Sequence, residues 1–174
     1  MTIAVTDACI FIDLFELNLL DKFLRCGLTI HTTDEVLKEL FPHQQSILKD
    51  HLRSNVLHVH ILDGESQLHL DAAIYPTGLS RPDRSVLFIA STIPRSIVLT
   101  GDRKVRSFAG KNGIACHGSI WIIDRLVERH DLTHLEGCVL LQDLLRTNLI
   151  YRNSKEMRSE VDIRIARWSL GPTP

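Results

Sequence analysis

The sequence predicts a three-layer α/β/α fold, with a central parallel sheet covered by helices and a helical C-terminal extension. Two observations carry this. Between Ile3 and Cys116, short β-prone runs alternate with helical segments, and such alternation builds a parallel sheet covered on both faces. Residues 131–174 instead hold Leu-rich helical patterns (Leu135, Val139, Leu140 and Leu144, then Val161, Ile165 and Trp168) and no strand. The expected organisation is an α/β domain over residues 1–130, with residues 131–174 as helices packed on it, on a partner, or both.

Ile3–Thr6 is a short β-prone run that ends at Asp7. Helical apolar spacing over residues 9–26 predicts two short helices. Leu28–His31 is the next strand. Thr32-Thr33-Asp34-Glu35 then forms a capping-box signature, and Val36, Leu37 and Leu40 continue a helix. A helix over 44–53, a strand over Val56–Leu62 and a helix over 65–75 follow, broken by Thr77-Gly78. Ser80-Arg81-Pro82-Asp83 is a second capping signature, opening a helix to about Ala90. Ser96–Thr100 is a buried β-branched strand and Asp102–Ala109 a helix, with Gly113 as its C′ stop. Ile114–Cys116 is the last strand, and helix resumes from about Ser119. The Gly171–Pro174 tail should fray.

At 174 residues and 44% hydrophobic, the chain can bury a real core. Lys and Arg number 20 against 21 Asp and Glu, a net charge of -1. No global basic field draws in nucleic acid, so such binding requires a local patch. Cys9, Cys26, Cys116 and Cys138 form no C-x-x-C pair, which predicts reduced core thiols and a cytoplasmic protein. The N-terminus lacks the basic region of a signal peptide, and no apolar run approaches the roughly 20 residues that span a membrane.

Two carboxylates fall where open parallel sheets bind ligands, at the carboxyl ends of strands. Asp7 directly follows one strand, and Asp102 follows another after a single glycine. If those strands are neighbours, both acids face one crevice. A divalent cation would relieve their repulsion, and oxygen-only ligands suit Mg²⁺ or Mn²⁺ rather than zinc. Each acid also has a structural reading. Asp7 and Asp102 can be N-caps, Asp83 can complete a capping box, and Glu39 can be a solvated surface residue. Glu35, as the first capping-box acid, leaves Glu39 as the preferred ligand of the pair. Asp13 and Asp63 are expected to be surface acids.

Taken together, four blocks resemble the PIN-domain nucleases. VTDACIFIDLFELNLLDKFL is similar to that family's opening strand and aspartate, matched by Asp7. TTDEVLKEL resembles the second block, with Glu39 on its glutamate. LSRPDRSVLFIA resembles the third, with Asp83. IVLTGDRKVRSFAGKNGIACHGSIWII resembles the fourth, with Thr100 and Asp102 on its T-x-D. The resemblance covers about residues 3–127 and implies a PIN-like fold and a ribonuclease using one or two Mg²⁺ or Mn²⁺ ions. It implies Asp7 as central ligand, Asp83 and Asp102 completing the shell, Glu39 as ligand or water-orienting group, and Thr100 fixing a carboxylate. Many members are toxins paired with an antitoxin protein, and many are homodimers. Where some carry a further acid, this chain has Arg106, which fits a single tightly held ion or a phosphate contact.

Arg81, Arg84, Arg103, Lys104 and Arg106 flank the third and fourth blocks and could contact RNA phosphates. The alternative is an ordinary solvated surface. His58-x-His60 and Cys116-His117 lack the partners of a zinc motif. No G-x-S-x-G, GxGxxG or Walker sequence is present. The reading from a different class is a catalytically silent PIN-like module that binds nucleic acid or protein.

Overall fold

A computed structural model of the chain describes residues 2–52 and 56–169. In chain order the elements are β1 (Thr2–Thr6), α1 (Ala8–Glu16), α2 (Leu20–Leu24), β2 (Leu28–Thr33), α3 (Asp34–Lys38), α4 (Pro42–Leu52), β3 (Leu57–His60) and α5 (Gly64–Ala72). They continue with α6 (Arg81–Thr92), β4 (Ile97–Leu99), α7 (Arg103–Lys111), β5 (Ala115–His117), α8 (Ser119–Glu128), α9 (His134–Thr147), α10 (Leu149–Asn153) and α11 (Lys155–Ser169). By packing they group into two units, one of Met1–Ile12 with Gly27–Gly118, the other of Asp13–Cys26 with Ser119–Pro174.

The first unit holds the predicted sheet. Its five strands are all parallel and run in the order β3-β2-β1-β4-β5. The chain therefore builds outward from β1 on one side and returns to build on the other. Connections leave β1 and β4 in opposite directions at their carboxyl ends, which opens a crevice there. Register places Thr6 level with Leu99, and the Asp7 amide donates to the Leu99 carbonyl at 3.1 Å.

Central strands are buried on both faces, as parallel sheets require: Ala4, Val5, Thr6, Val98 and Leu99 are all inaccessible to solvent. Helix α6 packs across β2, β1 and β4 through a face that includes Val86, Leu87 and Ile89. Burial inside this sheet leaves one group unsatisfied: among the described residues the Thr6 hydroxyl has no hydrogen-bond partner. Valine has the same shape without that oxygen, so Thr6→Val loses no hydrogen bond and no longer buries an unpaired hydroxyl. The expected result is a gain of about 1 kcal/mol in chemical denaturation.

Several boundaries differ from the sequence reading, each for a local reason. The first capping residue is Thr33, one later than Thr32, and its hydroxyl accepts the Val36 amide at 3.2 Å. Glu35 is thus no capping-box acid; it pairs with Lys38 at 3.2 Å and faces Arg81 at 3.6 Å. Helix α4 begins at Pro42 rather than 44, with proline suited to a first turn. The expected end of that helix at Arg53, and the frayed Gly171–Pro174 tail, lie outside the described residues. Strand β3 stops at His60, short of Leu62, because Asp63 already caps α5 by accepting the Ser66 amide. Strand β5 starts at Ala115 because the Ile114 amide is spent on the Ala109 carbonyl closing α7. Gly113 is the C′ residue there, with a positive φ of 72° that glycine adopts without strain.

The second unit is helical. Helix α9 opens with a capping box between Thr133 and Glu136 and packs on α8, α10 and α11. Leu126, Leu141, Leu144 and Val161 form the core. Asp13, expected at the surface, is 5% exposed. Its carboxylate accepts the Ser119 hydroxyl and the Asn148 amide, and burial pushes it above the usual carboxylate range. Apolar periodicity around Asp13 gave no sign that its side chain turns inward to join α8 and α10. No helix among the described residues is long and apolar enough to cross a membrane.

Candidate active site

Three acids sit at helix N-termini. Asp7 precedes α1, and its Oδ1 accepts the Ile10 amide at 3.1 Å. Asp102 caps α7, with Oδ1 accepting from the Lys104 and Val105 amides at 2.6 and 3.0 Å. Asp83 completes a capping box in which Ser80 Oγ accepts its amide and Asp83 Oδ2 accepts the Ser80 amide at 2.8 Å. The structural reading of each acid is therefore met. Each cap occupies only one carboxylate oxygen, so the other stays available for a different task.

The crevice between β1 and β4 supplies that second context. Asp7 is 5% exposed, and its carboxyl is pushed up to about 6, chiefly by burial and further by the charge of Asp83. Bonds from Cys9, Thr100 and Ile10 hold it down in part. Partial desolvation raises Glu39, and the charge of Asp83 acts in the same direction. Asp83 is thus the charge that two other acids feel, because α6 runs back over the sheet and delivers its first turn to the carboxyl ends of the strands. Helix N-termini partly offset this crowding, since their dipoles favour negative charge.

Thr100 links the two strand ends. Its hydroxyl accepts the Asp102 amide at 3.0 Å and helps to hold down the Asp7 carboxyl. Glu39 is exposed at the end of α3. Glu35 is committed to Lys38 and Arg81 rather than to a cap, whereas Glu39 is electrostatically coupled to Asp83. As the side chains stand, no three His, Cys, Asp or Glu among the described residues converge to hold a metal ion.

The basic residues divide. Arg103 is exposed beside Asp102. Arg81 is drawn to Asp71 at 2.8 Å, and Arg84 donates to the Leu79 carbonyl at 3.1 Å. Lys104 reaches the Gly78 carbonyl at 3.4 Å. Arg106 donates to the carbonyls of Thr100 at 3.2 Å and Cys116 at 3.5 Å. Its guanidinium thereby ties the end of β4 to β5, a task that an acid at this position could not perform.

Sequence reasoning missed Cys9. Its thiol donates to Asp7 Oδ1 at 2.9 Å and accepts the Gly101 amide at 3.0 Å. Of the four cysteines, Cys26 is buried and Cys9, Cys116 and Cys138 are half-buried. The available signal was the spacing, because a residue two beyond an N-capping aspartate lies within reach of its carboxylate.

A second titratable group lies on β2 and β3. His31 Nδ1 and His60 Nε2 are 2.8 Å apart, and the His58 ring lies 4.8 Å from His31. Burial, then the neighbouring imidazoles, lowers His31 to about 4, and His60 is lowered by the same causes. The unfolded chain then binds more protons than the folded one below pH 6.5. Stability from this cluster is present above pH 6.5 and is lost as pH falls towards 4. Asp7, with its raised value, acts in the opposite sense as pH falls through 6. Melting curves of wild type and His31→Gln between pH 7 and 4 separate the two, and the variant should lose less stability.

A family model described as a PIN domain matches residues 3–162. No curated protein matches the chain. The matched span takes in the sheet from Ile3 onward, the acids of the β1–β4 crevice and most of the helical unit, and the chain belongs to the PIN-domain family.

Proposed function

We propose that the protein is a ribonuclease dependent on Mg²⁺ or Mn²⁺, hydrolysing phosphodiester bonds at the β1–β4 crevice. PIN domains are nuclease-type modules that act on nucleic acid. The observation that carries the reading is Asp7, a buried carboxylate held at the switch point of the sheet against the charge of Asp83. The donor set fits a hard cation: all oxygen, several carboxylates, and one oxygen of each aspartate outside its helix cap. Asp7 and Asp83 would hold the ion, with Asp102 offering the oxygen outside its helix cap and the exposed Glu39 closing on it. When bound, the ion supplies an acidified water and charge stabilisation at the scissile phosphate.

The chain's own residues do the positioning. Thr100 fixes Asp7 relative to Asp102. Glu39 is placed to orient a water or complete the shell. Arg103 and Lys104, flanking Asp102 on α7, are the proposed phosphate contacts, while Arg81, Arg84 and Arg106 shape the rim through their ion pair and carbonyl bonds. By family resemblance the proposal extends to a toxin with an antitoxin partner, and to a homodimer in the cytoplasm. Exposed Leu135 and Val139, one turn apart on α9, offer apolar surface to a protein partner. Incubation of a mixed RNA pool with the protein tests the activity. Cleavage with Mg²⁺ or Mn²⁺ that stops on chelation supports the reading, and intact RNA under both conditions rejects it.

A further inference from the structure

We propose that Cys9 is a positioning residue for the acidic site, fixing the Asp7 carboxylate and holding the ends of β1 and β4 together. The proposal rests on the metal-dependent reading above. The hydrogen-bond directions are forced by chemistry. The Gly101 amide can only donate, so the sulfur accepts from it at 3.0 Å. The thiol's single proton then goes to Asp7 Oδ1 at 2.9 Å, an oxygen that already receives the Ile10 amide. Two donors on one oxygen fix the plane of the carboxylate.

The same sulfur spans the switch point. Gly101 lies between Thr100 and Asp102, at the start of the loop that delivers the second acid. A Cβ on Gly101 would stand 3.2 Å from Cys9 Sγ, so a side chain there would push the thiol back by a few tenths of an ångström. Cys9 thus sets both the orientation of Asp7 and its separation from the Asp102 loop. It touches neither substrate nor ion in this account and acts through Asp7. Groups that orient metal ligands in this way change metal affinity about 10- to 100-fold when removed.

Calorimetric titration with Mn²⁺ of wild type, Cys9→Ala and Cys9→Ser is the test, joined to RNA cleavage kinetics and to hydrogen exchange at the Gly101 amide without metal. Cys9→Ala should weaken Mn²⁺ binding about tenfold or more, lower kcat at fixed Mn²⁺ and leave KM for RNA unchanged. Its Gly101 amide should exchange faster. Cys9→Ser keeps a donor for Asp7 and should recover most of both effects. Wild-type Mn²⁺ affinity in Cys9→Ala overturns the role of Cys9 while leaving the metal reading intact, as does a Cys9→Ser variant as impaired as Cys9→Ala. Absence of Mn²⁺ binding by wild type overturns the metal reading, and the role of Cys9 with it.

Discussion

Replacing Asp7 with asparagine is expected to abolish RNA cleavage and to raise the melting temperature at neutral pH. The two effects share a cause. Burial and the nearby Asp83 hold the Asp7 carboxyl at about 6 against an ordinary 3.8. About two units of upward shift corresponds to roughly 3 kcal/mol by which the folded state disfavours the charged form. Asparagine removes that charge. Its side-chain oxygen still accepts from the Ile10 amide and the Cys9 thiol, so the cap of α1 survives. A net gain of about 1–2 kcal/mol remains after imperfect replacement of the other bonds, or several degrees in Tm. The sign follows from linkage. A carboxyl raised in the folded state costs stability as pH rises through 6, so the gain appears above pH 6 and fades below pH 4. Cleavage should fall at least about 100-fold, because a hard cation needs the charge that asparagine lacks. A variant that melts well below wild type would show Asp7 to be chiefly a cap. One that melts normally and still cuts RNA would place the active site elsewhere.

Gly137→Val is expected to have the largest effect on the helical unit. A Cβ at this position of α9 would stand 2.7 Å from the Trp168 ring on α11 and 2.8 Å from a Val127 methyl on α8. Both atoms lie inside contact distance and on different helices, so neither can yield without moving its own packing. Glycine ordinarily weakens a helix by about 1 kcal/mol relative to alanine, and substitution would recover part of that. Overpacking costs about 1–3 kcal/mol and rises with side-chain size. The clash therefore wins for valine, with a net loss near 2 kcal/mol and a Tm lower by about 4–8 °C. Gly137→Ala should fall between, since a single methyl meets the same atoms while gaining the full helix preference. A valine variant as stable as wild type in urea would mean that α9, α8 and α11 do not pack this closely.

What the sequence disclosed was periodic or local. Alternating strands and helices gave the parallel sheet, and Ser80 with Asp83 gave the start of α6 from a pattern four residues long. Gly113 announced the end of α7 because a left-handed residue there favours glycine. What it concealed depended on residues far apart in the chain. Locally, Glu35 three residues on favours a cap at Thr32, since Thr33 has Val36 in that place; the pairing of β2 through Thr33 moved the cap one residue later. Asp13 lies within an apolar run, but its partners Ser119 and Asn148 stand 106 and 135 residues away. Cys9 was read as a packing thiol because its bond to Gly101 joins residues 92 apart. The choice of Glu39 over Glu35 rested on a capping role that Glu35 does not have. Its support now comes from Asp83, a residue on another helix. The candidate site could be read as four acids in order, while the bonds around them required the fold.

Calorimetric titration with Mn²⁺ of the wild-type protein and of the Asp7→Asn, Asp102→Asn double variant, at pH 7.5 and again at pH 5, tests the acidic crevice most directly. A metal site in this crevice requires saturable binding by wild type at pH 7.5, weakened at pH 5 as Asp7 takes up a proton below about 6, and no binding by the double variant at either pH. Mn²⁺ binding by the double variant equal to that of wild type would contradict it.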